Sequence, residues 1–269
     1  MTRNLFNKAE NSQFLHFFQS HPRLRVIVLW LFLCALLLPF FPGCGVQSPA
    51  SPAAGSRKAP EGQQENARLV YVAIGASDTF GYGTSDPYRE NWASDLAGKL
   101  GARYRLVNLG VPGIRMQEAL KVELPVALDA RPDLVTIWLA VNDIINKVPV
   151  ENYTRGLDTM LSRLRAAKPQ MRIAVANVPD LTLLPYFIKQ PSFDRQALQS
   201  RIQAYNTAIA ATALRYQAIL VDLSARTYDI KNHPEYVSQD GLHPTAAGYA
   251  RLAEVFYQAL EHGSETRAR

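Results

Sequence analysis

Cysteine is scarce in this chain. There are two, Cys34 and Cys44, and both lie in the first 44 residues. The long stretch beyond them therefore has no disulfide framework and no cysteine-based metal site. No stripe of lysine and arginine interleaved with aromatic residues runs through it, so nucleic acid is a poor candidate partner. The formal net charge of +6 is modest and uneven. Residues 1–43 carry Arg3, Lys8, Arg23 and Arg25 against Glu10 alone, which leaves only a mild excess for the rest. There is no internal repeat. A length of 269 residues, 48% of them hydrophobic, suits one α/β domain with a tail.

What the chain does have begins with an apolar run, "VIVLWLFLCALLLPFF", residues 26–41, preceded by Arg23 and Arg25. It is short for a bilayer span and of a length for a signal-peptide core. "FPGCG" follows at once, and Gly43–Cys44 resembles a bacterial lipoprotein processing site, in which the cysteine becomes the lipidated first residue. Phe41 stands where that motif usually has leucine, so an uncleaved anchor is the alternative. Residues 46–66, rich in Pro, Ser, Ala, Gly and Gln, bury too little to offset the entropy of ordering and read as a tether. The expected organisation is a signal or anchor over 1–43, a linker over 44–67, a domain over 68–262 and a tail over 263–269. The expected location is extracytoplasmic and membrane-associated, in a bacterium.

From residue 68 short apolar runs alternate with helical patterns. Strands are expected at Leu69–Ile74, Tyr104–Val107, Leu134–Leu139, Met171–Ala176 and Ala218–Val221. Between them Tyr153, Leu157, Met160, Leu161 and Leu164 form one helical stripe, and Leu198, Ile202, Tyr205 and Ile209 another, with Asp194 as a candidate N-cap. Pro125 is expected to end or kink the helix that begins at Met116. Tyr249, Leu252, Phe256 and Leu260 mark a last helix. Apolar strands separated by amphipathic helices imply a parallel sheet covered on both faces. The expected fold class is α/β, a three-layer doubly wound domain on a five-stranded parallel sheet, with active residues beyond the carboxyl ends of its strands.

Those strand ends carry reactive chemistry. "GASDTFGYG" follows the first strand, and alone it suits either a phosphate cradle or a nucleophile turn at Ser77. "NLGVPG" with Asn108, Gly110 and Gly113 follows the second. "LAVND" with Asn142 and Asp143 follows the third, and "SQDGLHP" with Asp240 and His243 follows the fifth. Together they offer a hydroxyl, backbone N–H groups, an amide, an imidazole and a carboxylate, the parts acyl transfer requires.

In this order the blocks resemble the SGNH hydrolases, also called the GDSL esterase/lipase superfamily, over about residues 69–260. The first block, Gly-Asp-Ser-x-(Thr/Ser)-x-Gly, reads "GASDTFG" here, with Ala76 in place of aspartate and Asp78 where an apolar residue is usual. The second contributes Gly113. The third, Gly-x-Asn-Asp, reads "AVND", with Ala140 in place of glycine, and Asp-x-x-His-Pro is intact as Asp240, His243 and Pro244. The resemblance implies Ser77 as nucleophile, His243 as base and Asp240 as its orienting carboxylate. It implies an oxyanion hole of the Ser77 and Gly113 N–H groups and the Asn142 amide. Neither metal nor cofactor is expected.

His233 is the rival histidine, but no carboxylate lies three residues before it. Asp143 is expected to hold the loop that aims Asn142, and Asn108 to form a turn. The segment 177–193 is rich in large apolar residues, and Leu181, Leu184 and Phe187 are candidates for an acyl pocket, or else they simply cover the core. The expected function is a serine esterase or lipase acting on lipid or other acyl esters, with no nucleic-acid partner. The alternatives are a carbohydrate O-acetylesterase, a flavodoxin-like phosphate-binding module and a non-catalytic lipid- or glycan-binding lipoprotein.

Overall fold

The computed structural model describes residues 68–267. The apolar run of residues 26–41, Cys44 and the linker lie outside the described residues. Among those described, no helix is long and apolar enough to cross a membrane.

Five parallel strands form one sheet in the order β2-β1-β3-β4-β5. They are β1 (Leu69–Gly75), β2 (Tyr104–Asn108), β3 (Leu134–Trp138), β4 (Arg172–Ala176) and β5 (Ile219–Val221). The central strand β3 is buried along its whole length, as continuous Leu-Val-Thr-Ile-Trp demands when both faces are covered. The edge strand β2 is only half covered and so tolerates the exposed Arg105.

One face is covered by α3 (Met116–Asp129), α5 (Val150–Ala167) and α7 (Arg195–Arg215). All five residues of the α5 stripe are buried. Asp194 caps α7 by accepting the Ala197 N–H at 3.0 Å. The other face is covered by α2 (Trp92–Leu100) and α9 (Ala246–Arg267), where Trp92 stacks on Phe256 at 4.1 Å. Short helices α1 (Ser77–Phe80), α4 (Val141–Ile145), α6 (Pro185–Ile188) and α8 (Thr227–Asn232) sit in the connections.

Two elements depart from the sequence expectation. Helix α3 runs through Pro125 to Asp129, held on both sides of the proline by buried Leu124 and Ala127. Helix α9 continues to Arg267, so most of the stretch read as a tail from residue 263 is helical.

The chain leaves β1 toward β2, then returns across β1 to β3. That reversal opens a crevice between the carboxyl ends of β1 and β3, where doubly wound sheets bind ligands. Ser77 and Asn142 follow those two strands.

Candidate active site

Ser77 opens α1 immediately after β1. Its hydroxyl caps no backbone N–H, since the residue before the helix is Ala76 and no side-chain cap bond forms. Instead Ser77 Oγ lies 2.9 Å from His243 Nε2. His243 Nδ1 lies 2.6 Å from Asp240 Oδ2. The three side chains form one hydrogen-bonded line, built from residues 166 apart in sequence.

The turn after β5 fixes the carboxylate and imidazole. Asp240 Oδ1 accepts from the Ser238 hydroxyl at 2.8 Å, the Leu242 N–H at 2.8 Å and the His243 N–H at 3.0 Å. Burial alone would raise the Asp240 pKa. The bonds from the His243 ring, the two backbone N–H groups and Ser238 outweigh it and bring it to about 2. The Tyr82 ring lies against the His243 ring, with centroids 4.6 Å apart. His233 is elsewhere: its Nδ1 lies 2.8 Å from Glu235 Oε1, and its ring stacks on Tyr236.

The nucleophile turn is held from two sides. The Gly75 N–H donates to Glu123 Oε1 on α3 at 3.1 Å. Asn108, at the end of β2, donates to the Thr79 carbonyl at 2.7 Å and accepts the Gly110 N–H at 2.9 Å. It therefore clamps α1 as well as forming its own turn. At Gly75 a Cβ would lie 2.0 Å from Thr79 Oγ1 and 2.8 Å from the Trp138 carbonyl, so only glycine lets α1 fold back this closely.

The loop holding Gly113 and the start of α4, which holds Asn142, are tied together. Asn142 Nδ2 donates to the Ile114 carbonyl at 2.9 Å, and Asp143 Oδ2 accepts the Met116 N–H at 3.1 Å. An amide has two N–H donors, so the second one of Asn142 is left open. Among the described residues the N–H groups of Ser77 and Gly113 also have no acceptor. Gly113 has φ +81°, and a Cβ there would meet no protein atom within 4 Å. The glycine is required by backbone conformation, and the space in front of it is open.

Ala140, which replaces the family's glycine, has φ +127°. An alanine in that region is strained by about 1–3 kcal/mol. It precedes α4 directly and so aims Asn142. Asp143 is buried, which raises its pKa to about 6 against the Met116 N–H that lowers it. Glu123, buried on α3, is raised further, to about 8, with only the Gly75 N–H opposing. Glu123 was not singled out in the sequence, where it reads as one charged residue of an amphipathic helix.

An apolar cavity of about 100 Å³ has Asp78, Leu242 and Pro244, the chain neighbours of Ser77 and His243, in its wall, and none of the triad side chains. Leu181 and Leu184 also line it. Phe187 does not line it; with Leu181 and Leu184 it belongs to the buried core on the α3–α5–α7 side, the alternative reading of this segment. The segment itself is tied to the catalytic turn by a bond from the Tyr186 N–H to the Gly241 carbonyl at 3.0 Å. Among the described residues no cluster of side chains suits a metal ion.

The sequence model of the GDSL-like lipase/acylhydrolase family matches residues 73–251. Among solved structures, a lipase/acylhydrolase from Enterococcus faecalis is 20% identical with a TM-score of 0.58, covering 73% of this chain and 96% of its own. A psychrotrophic esterase from a Pseudoalteromonas species is 19% identical with a TM-score of 0.57, covering 72% and 97%. An acetyl xylan esterase is 17% identical with a TM-score of 0.57, covering 71% and 99%. No curated protein matches the sequence. The match spans all four sequence blocks and strands β2 to β5 with the end of β1, and the chain belongs to the GDSL-like lipase/acylhydrolase family of hydrolases.

Proposed function

We propose that this protein is a serine esterase that cleaves acyl esters through a covalent acyl-enzyme at Ser77. The observation that carries the reading is the line Ser77 Oγ–His243 Nε2–Asp240, with spacings of 2.9 and 2.6 Å. His243 takes the Ser77 proton as the hydroxyl attacks the ester carbonyl, and returns it to the leaving alcohol. Asp240, ionised because of its four hydrogen bonds, fixes the imidazole tautomer and balances the imidazolium charge. The carbonyl oxygen becomes an oxyanion, stabilised by the open N–H groups of Ser77, Gly113 and Asn142. Water then attacks the acyl-enzyme with His243 again as base, releasing the acid and restoring Ser77.

The substrate is an ester of a short or medium acyl chain, which the cavity lined by Leu181 and Leu184 receives. The protein works outside the cytoplasm of a bacterium, tethered at Cys44 or by the apolar run of residues 26–41. That placement rests on the pattern of basic, apolar and small residues at the N-terminus.

The test is hydrolysis of p-nitrophenyl esters by the full chain. Ser77→Ala and His243→Ala abolish turnover, while His233→Ala retains it. Turnover surviving in Ser77→Ala refutes the nucleophile assignment, and loss in His233→Ala with survival in His243→Ala moves the base.

A further inference from the structure

Asp78 has no part in the chemistry above, and it occupies an unusual place. It follows the nucleophile directly. Protein surrounds it, yet it keeps some accessible surface and forms part of the wall of the apolar cavity. Among the described residues no other side chain hydrogen-bonds its carboxyl group. The wall also holds the aliphatic Val141, Leu181 and Leu242, together with Arg226, Asp229 and Arg251. Its own backbone N–H is the one hydrogen bond the carboxyl group receives; the rest of its acceptor capacity is unmet, which is costly in such a space, and a bound plain alkyl chain would leave it so.

We propose that the cavity is the acyl subsite of the esterase and that Asp78 makes it selective for acyl chains bearing a hydroxyl close to the ester carbonyl. The proposal rests on the esterase reading and names its substrate class. A cavity of about 150 Å³ takes up benzene, so one of about 100 Å³ suits a chain of about four carbons. Because Asp78 adjoins Ser77, a hydroxyl that reaches it belongs on the second or third carbon.

A hydroxyl fits better than an ammonium for two reasons. The same cavity is lined by Arg226 and Arg251, which repel a cation, although Asp229 pairs with Arg251 at 3.0 Å. Burial also raises the Asp78 pKa, against the pull of His243 and with the push of Asp240, toward the neutral form. A hydroxyl bonds to the acid in either protonation state; an ammonium requires the carboxylate.

The experiment compares kcat/KM for p-nitrophenyl butanoate and its 2-hydroxy, 3-hydroxy and 3-amino analogues on the full chain. The wild type is expected to favour one hydroxy ester over butanoate by about 10- to 100-fold, the size of one buried hydrogen bond. Asp78→Leu, which restores the apolar residue usual in the family, is expected to bring that ratio to one or below. Asp78→Asn, still able to bond a hydroxyl, keeps a ratio well above one.

A wild-type ratio near one, or a preference for the amino ester, overturns the proposal while leaving the esterase reading intact. So does an Asp78→Leu variant that changes all four esters equally, since that is the signature of a role through His243 alone. If the wild type cleaves none of the esters, the esterase reading itself fails. The wild-type ratio stands whether or not the variants fold.

Discussion

Glu123→Gln tests whether a buried acid holds the nucleophile turn in its neutral form. Glu123 is 1% exposed, its Oε1 accepts the Gly75 N–H, and its Oε2 is buried with no partner. Its pKa rises from 4.5 to about 8, because burial penalises the charge more than one N–H can stabilise it. Unfolded, the group ionises at its ordinary value. Between pH 4.5 and 8 the native state therefore binds more protons than the unfolded state, and this group makes stability fall as pH rises. Keeping the proton costs about 1.4 kcal/mol per pH unit above 4.5, or about 3 kcal/mol at pH 7.

Glutamine keeps the acceptor for Gly75 and removes the titration. Its amide nitrogen brings two unpartnered N–H donors where the protonated oxygen brought one O–H, a cost that does not vary with pH. The stability of Glu123→Gln relative to the wild type should therefore rise by about 2.5 kcal/mol from pH 5 to pH 7 and by about 4 kcal/mol from pH 5 to pH 9. Urea denaturation of both proteins at each pH measures the difference. A difference that stays constant with pH, or that falls as pH rises, refutes the reasoning.

Three further outcomes follow from the site. Asn142→Ala removes one open donor of the oxyanion hole and should lower kcat by about 10²–10³ with KM little changed, as initial-rate kinetics will report. Ala140→Gly relieves the strain at φ +127° against the entropy a glycine loses on folding, for a net gain of about 0.5–2 kcal/mol in chemical denaturation. Cys44→Ser should release the protein into the soluble fraction if Cys44 carries the lipid; continued membrane association points to the uncleaved apolar run.

The doubly wound order was legible because its signals are local. Apolar runs such as Leu134–Trp138 and the Tyr153–Leu164 stripe report burial directly. Ser77 and Asn142 were legible as residues following β1 and β3, whereas Asp240 and His243 follow β5 only after α8 intervenes. What stayed hidden depends on neighbours distant in sequence. Glu123 is paired with Gly75 only because α3 crosses beside β1. Leu184 and Phe187 are three residues apart and both pack in the core, yet only Leu184 also reaches the cavity wall. Of the two outcomes expected at Pro125, the helix does not end there, and buried Leu124 and Ala127 hold it on both sides. Ala140 removes no catalytic group by its identity, and its positive φ is visible only in the structure. Asp143 was read as a support for Asn142, and its bond to the Met116 N–H ties that loop to the start of α3.

The central claim is that Ser77 attacks. A fluorophosphonate ester forms a stable covalent bond with a serine activated by its own histidine, and mass spectrometry of the treated full chain locates that bond. The account predicts one adduct, on the peptide holding Ser77, and none in Ser77→Ala or His243→Ala. An adduct on another residue, or undiminished labelling of Ser77→Ala, would contradict it.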